Sequence, residues 1–101
     1  MWLFVMFDLP TVTAGERKQA AAFRNSLLDL GFEMSQFSVY LKYCSSAEKA
    51  AAVQVKIKRL LPSGGKVDIL MITDKQFGSI KRYHASHEQK KAQKPVQLHM
   101  F

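Results

Sequence analysis

"WLFVMFDLPTVTAGE", residues 2–16, decides the fold, because it holds one complete strand and the opening of one helix. Trp2 to Phe7 is apolar at every position, as in a strand buried on both faces or in the middle of a dimer. Pro10 cannot continue a central strand, so that strand stops near Asp8. "TAGE" then sets Thr13 three residues before Glu16, the spacing of a reciprocal capping box at a helix start.

Outward from there the same two signals alternate. The first helix carries Ala20, Phe23, Leu27 and Leu30 on one stripe and stops at Gly31. "FEMS" (32–35) predicts a short strand, and "FSVYLKY" (37–43), rich in β-branched and aromatic residues, a second. "SSAE" predicts another capping box, Ser45 to Glu48. It opens a helix with Val53, Ile57, Leu60 and Leu61 on its buried side, and "PSGG" (62–65) ends that helix. "KVDILMIT" (66–73) is the fourth strand. The order strand, helix, strand, strand, helix, strand predicts a ferredoxin-like α+β sandwich: an antiparallel four-stranded sheet with both helices on one face. The uncovered face then asks for a partner, most simply a second copy across a two-fold axis.

Residues 1–84 are expected to form this domain, with "SIKRYH" (79–84) as a short fifth strand. A polar linker (85–94) and a strand-like tail (95–101) follow, the tail with Val96, Leu98 and Met100 on one side. Such an alternating tail suits addition to a sheet edge, in its own dimer or in another protein.

Fifteen Lys and Arg against eight Asp and Glu leave a net charge of +7, a surface that attracts polyanions, nucleic acid above all. No stretch approaches the roughly 18 apolar residues of a spanning helix. The N-terminal apolar run meets Asp8 and Pro10 too soon for a signal peptide. Cys44 is the single cysteine, which rules out an intrachain disulfide and suits a cytoplasmic setting. "SGG" lacks the Lys-Ser/Thr of a phosphate loop, and His84 and His87 have no further ligand nearby to complete a zinc site.

The chemistry therefore rests on few residues. Asp8 is either a turn residue or, at the end of the most apolar strand, a metal ligand. Hydrated Mg²⁺ needs only one or two carboxylates, and two Asp8 residues facing across a two-fold would share one ion. Arg17 and Arg24, seven apart, leave the first helix on nearly the same side. They either pair with Glu33 or another acid, or contact phosphate. Lys56 and Arg59, within the basic run Lys49 to Lys66, and Lys81 and Arg82 are candidates for sequence-independent backbone binding. Phe37 is a stacking platform if exposed and core if not.

With these residues in view, the chain resembles the Cas-two family, the small CRISPR-associated proteins of spacer acquisition, from about residue 1 to 84. The likeness rests on the first strand closing in Asp8, on "ERKQAAAFRNSLLDLGF" (16–32) and on "MSQFSVYLKYC" (34–44). Its wording is similar to the branch that accompanies type II systems. The resemblance implies a homodimer packed sheet to sheet, with paired Asp8 residues binding Mg²⁺ in members that cut single-stranded RNA or double-stranded DNA. It also implies Arg17 and Arg24 as motif basic residues, Phe37 and Ser38 close to the aspartate, and a dimer that bridges the Cas-one integrase while holding a protospacer duplex. Three functions thus stand side by side: a DNA-binding scaffold, a Mg²⁺-dependent endonuclease, and an RNA-binding ferredoxin-like module without catalysis.

Overall fold

The computed structural model describes residues 1–85; the expected tail with Val96, Leu98 and Met100, and all of the linker after Ala85, lie outside the described residues. The elements run β1 (Trp2–Asp8), α1 (Ala14–Asp29), β2 (Glu33–Gln36), β3 (Val39–Tyr43), α2 (Ala47–Arg59), β4 (Lys66–Ile72) and α3 (Asp74–Gly78). The sheet order is β2-β3-β1-β4 with every neighbouring pair antiparallel, which is the ferredoxin-like arrangement with β1 and β3 central.

β1 alternates sharply between its two faces. Leu3, Val5 and Phe7 are buried, while Trp2, Phe4 and Met6 are half-buried on the other side. The buried set joins Phe23 and Leu27 of α1, Ala50 and Ile57 of α2, and Phe32, Tyr40 and Cys44 in a single core. Both helices therefore lie on one face. Phe7 sits edge-on to Phe23 with ring centroids 5.3 Å apart and offset against Tyr40 at 5.6 Å, so the aromatic end of the core lies under the last turn of β1.

α1 starts and stops as its sequence requires. Thr13 Oγ1 accepts from the Glu16 amide at 3.1 Å, and the Glu16 carboxylate accepts from the Thr13 amide at 2.9 Å. At the far end Gly31 takes φ +95°, the Gly31 amide donates to the Leu28 carbonyl and the Phe32 amide to the Leu27 carbonyl, both at 3.0 Å. That pair of bonds is a Schellman cap, and it places Phe32 in the core rather than at the start of β2.

Four expectations are corrected. The α2 cap is Ser46, whose hydroxyl accepts from the Lys49 amide at 3.1 Å, and not Ser45 with Glu48. Starting there and ending at Arg59, the helix buries Ala50 and Ile57 and half-buries Val53, but it leaves Leu60 and Leu61 exposed beyond its last turn. Phe37 and Ser38 are not in β3: they form the two-residue turn between Gln36 and Val39. Residues 79–84 make no fifth strand; they follow α3, a short helix opened by a second capping box between Thr73 and Gln76.

α3 changes the uncovered face of the sheet. Phe77 stacks flat on Trp2, with centroids 3.8 Å apart and planes 8° from parallel, and the Met1 amino group pairs with Asp74 at 2.7 Å. By register Phe4, Leu41 and Leu70 share that face. Tyr43 and Leu70 stay half exposed on it. The Trp2–Phe4 end of the face is apolar and only partly covered, while its Asp8 end carries Lys66 and Asp68 by register.

Candidate metal and nucleic-acid site

The carboxylate of Asp8 ends β1, opposite Lys66 in the β1–β4 register. Just beyond it the chain turns into α1, and the β2–β3 turn reaches the same place because the Ser38 carbonyl accepts from the Phe7 amide at 3.1 Å. These segments enclose an open cleft of about 390 Å³, lined by Phe7, Asp8, Leu9, Thr11, Arg17, Ala20, Arg24, Phe37 and Ser38. Five residues singled out in the sequence, Asp8, Arg17, Arg24, Phe37 and Ser38, thus meet in one cleft. Lys56, Arg59, Lys81 and Arg82 are exposed but line no part of it.

The two arginines differ. Arg17 Nη1 donates to the Val12 carbonyl at 2.8 Å and to the Thr11 carbonyl at 3.2 Å, so one nitrogen of its guanidinium braces the β1–α1 loop. The Glu16 carboxylate takes the Val12 amide at 3.0 Å and holds that loop from its other side. Arg24 is half-buried and makes no hydrogen bond or ion pair among the described residues. Among the described residues neither arginine pairs with Glu33 or another acid. A guanidinium in the cleft wall without an intramolecular acceptor is suited to a phosphate oxygen.

Phe37 is 88% exposed at the tip of its turn, which removes the core alternative and leaves its ring face open to stacking. Ser38 beside it adopts φ +64°, the left-handed region that disfavours side chains with a Cβ. The turn therefore carries strain at the cleft wall. A Ser38→Val protein is expected to lose about 1–3 kcal/mol, whereas Ser38→Gly should stay within about 1 kcal/mol of the parent. Urea unfolding checks both, and a Ser38→Val protein as stable as the parent would remove strain from the account.

The family model described as CRISPR associated protein Cas2 matches residues 1–80. This chain belongs to the Cas2 family. A CRISPR-associated endoribonuclease Cas2 of Paracidovorax avenae is 46% identical over 101 residues, all of this chain and 94% of that protein. Another of the same description, from Parvibaculum lavamentivorans, is also 46% identical and is matched along the full length of both chains. Among solved structures, the crystal structure of Streptococcus pyogenes Cas2 at pH 6.5 superposes with a TM-score of 0.62 at 15% identity, covering 83% of this chain and 100% of that one. A second, titled crystal structure of cas2, gives a TM-score of 0.59 at 16% identity over 99% of this chain and 98% of its own. The chain shares the fold of these two structures.

The donor set in this Cas2-family chain fits a hydrated Mg²⁺ and not a protein-caged metal. Among the described residues no group of three or more His, Cys, Asp or Glu gathers to hold an ion. Asp8 is exposed on an open cleft, which leaves room for the waters that Mg²⁺ retains. Sequence reading found no second acid beside Asp8. The β1–β4 register adds Asp68, two positions from Lys66 and on the same sheet face as Asp8. Only strand pairing reveals it, because the two acids are remote in the chain.

No helix among the described residues is long and apolar enough to cross a membrane.

Proposed function

We propose that this protein acts in the adaptation step of a CRISPR system, as a cytoplasmic homodimer that binds protospacer duplex DNA on its basic surface and bridges the Cas-one integrase. A Mg²⁺-dependent cut of single-stranded RNA or double-stranded DNA at Asp8 accompanies that role. The observation that carries the reading is the cleft itself: an exposed strand-end carboxylate, an arginine without an acceptor among the described residues and an exposed aromatic ring line one open space. The half-exposed apolar face with Tyr43 and Leu70 supports a second copy as partner. The endoribonuclease description of the relatives supports the accompanying activity.

Within this reading residues 1–84 are the folded unit and 85–94 a spacer. The tail at 95–101, through Val96, Leu98 and Met100, adds to an edge in the integrase. Asp8 from each protomer would hold Mg²⁺. When bound, the ion offsets negative charge on the transferring phosphoryl group. Arg24 holds a phosphate oxygen at the cleft wall, and Phe37 supports an unpaired base by stacking. Arg17 keeps the β1–α1 loop in shape, while Lys56, Arg59, Lys81 and Arg82 add backbone contacts that carry no sequence information.

Filter binding of a duplex across a salt series tests the scaffold. Affinity is expected to fall steeply with salt, since each neutralised phosphate contributes a slope near ~0.9. Arg24→Ala should weaken binding by about tenfold, the value of one charge-assisted contact, with an unchanged thermal midpoint. Arg17→Ala should lower the midpoint and change affinity less. Affinity insensitive to salt, or an Arg24→Ala protein that binds like the parent, would contradict the reading. A monomer by sedimentation would favour the RNA-binding module instead.

A further inference from the structure

The turn 62–65 ends α2, yet its contacts are with the segment that carries Asp8. At Gly65 a Cβ would stand 2.6 Å from the Asp8 carbonyl oxygen, 2.9 Å from Leu9 Cδ2 and 3.0 Å from Leu9 Cα. The first and last of these are backbone atoms, which cannot swing aside as a side-chain tip can. Gly65 also has φ +88°, so two independent reasons keep a side chain out. Its neighbour differs: a Cβ at Gly64 meets only Pro10 Cγ at 3.6 Å, an ordinary contact.

The turn is anchored as well as close. The Ser63 amide and hydroxyl both donate to Gln19 Oε1, at 3.3 and 3.0 Å. Gln19 belongs to α1, the helix that supplies Arg17 and Arg24 to the cleft. The Asp8–Leu9 backbone is thus backed by the 62–65 turn, while Arg17 and Glu16 hold the loop that follows it.

We infer that Gly65 is a positioning residue for Asp8: the missing side chain lets the anchored turn close on the Asp8–Leu9 backbone and fixes where the carboxylate begins. The consequence for metal binding rests on the reading of Asp8 as a Mg²⁺ ligand; the positional claim does not. Supports of this kind, one step removed from a ligand, typically govern affinity by about 10–100-fold when lost.

The test is amide NMR of the ¹⁵N-labelled full chain, titrated with MgCl₂ at matched protein concentration. Four variants are compared with the parent: Gly65→Ala, Gly64→Ala, Gln19→Leu, and Ile57→Val as a control for lost stability alone. Gly65→Ala is expected to displace the Asp8 and Leu9 resonances and to weaken the Mg²⁺ response by about tenfold or more. Gly64→Ala and Ile57→Val are expected to do neither. Unmoved Asp8 and Leu9 resonances in Gly65→Ala overturn the inference, and so does an equal loss of Mg²⁺ response in Ile57→Val. Should Gly65→Ala not fold, Gln19→Leu decides, because it frees the turn without adding a Cβ: displaced Asp8 and Leu9 resonances support the inference and unmoved ones overturn it. A parent protein that ignores Mg²⁺ removes the metal reading, and the Asp8 and Leu9 displacement then judges the positional claim by itself.

Discussion

On the proposed reading, Mg²⁺-dependent cleavage of single-stranded RNA or duplex DNA is expected to fall by about three orders of magnitude in an Asp8→Ala protein, because an ion held there would supply several kcal/mol of charge stabilisation. One substitution acts twice on the proposed dimer, since each protomer contributes the same carboxylate. Among the described residues no group of three or more His, Cys, Asp or Glu gathers that would take its place. Fold and duplex binding are expected to survive, as Asp8 is exposed at a strand end and makes no ion pair among the described residues. Labelled substrates incubated with and without Mg²⁺, beside a mutant of matched purity, give the answer. Equal cleavage by both proteins identifies a contaminant and leaves the nuclease without support. No cleavage by either, with salt-sensitive duplex binding in both, makes the protein a scaffold and Asp8 a structural acid.

The second large effect concerns the core. Phe23→Ala is expected to cost about 3–5 kcal/mol, the usual loss when a buried aromatic leaves a cavity. Phe23 is 2% exposed and lies edge-on to Phe7, one residue before Asp8. A domain of this size is stable by only about 5–15 kcal/mol, so the loss is a large share of the total. Phe23→Leu keeps most of the volume and should cost less than half as much. Denaturant unfolding at one protein concentration measures both, the concentration being fixed because the proposed dimerisation would add to apparent stability. A Phe23→Ala cost below about 1 kcal/mol would mean that the aromatic end of the core does not hold β1 to α1.

Much of this could be read from the chain because its local signals agree with each other. Thr13 with Glu16, the stripe through Phe23 and Leu27, and Gly31 define α1 from end to end, and the observed bonds match them. The β2–β3 turn could not be read the same way. Phe37 and Ser38 contain no Gly, Asn or Asp, so nothing announces the positive φ that Ser38 adopts. At α2 the Ser45–Glu48 spacing favours the first of two adjacent serines, whereas the helix that buries Ala50 and Ile57 is capped by the second, Ser46. α3 carries a legible capping box, Thr73 to Gln76, but five residues are too few to show a helical stripe.

The cleft was legible in its members and not in their division of labour. The seven-residue spacing puts Arg17 and Arg24 together. Their different partners depend on the Thr11 and Val12 carbonyls, and backbone acceptors leave no mark in side-chain identity. Gly65 and Asp68 join the account only through the pairing of β1 with β4.

The stacking of Phe77 on Trp2 has an optical consequence. Trp2 is the chain's single tryptophan, and it reports from the apolar side of the sheet, under a helix of five residues. Its indole emission is therefore a label-free signal from that surface: lifting α3 or pressing another molecule onto the sheet alters the polarity around one identified chromophore, with no competing emission from a second indole.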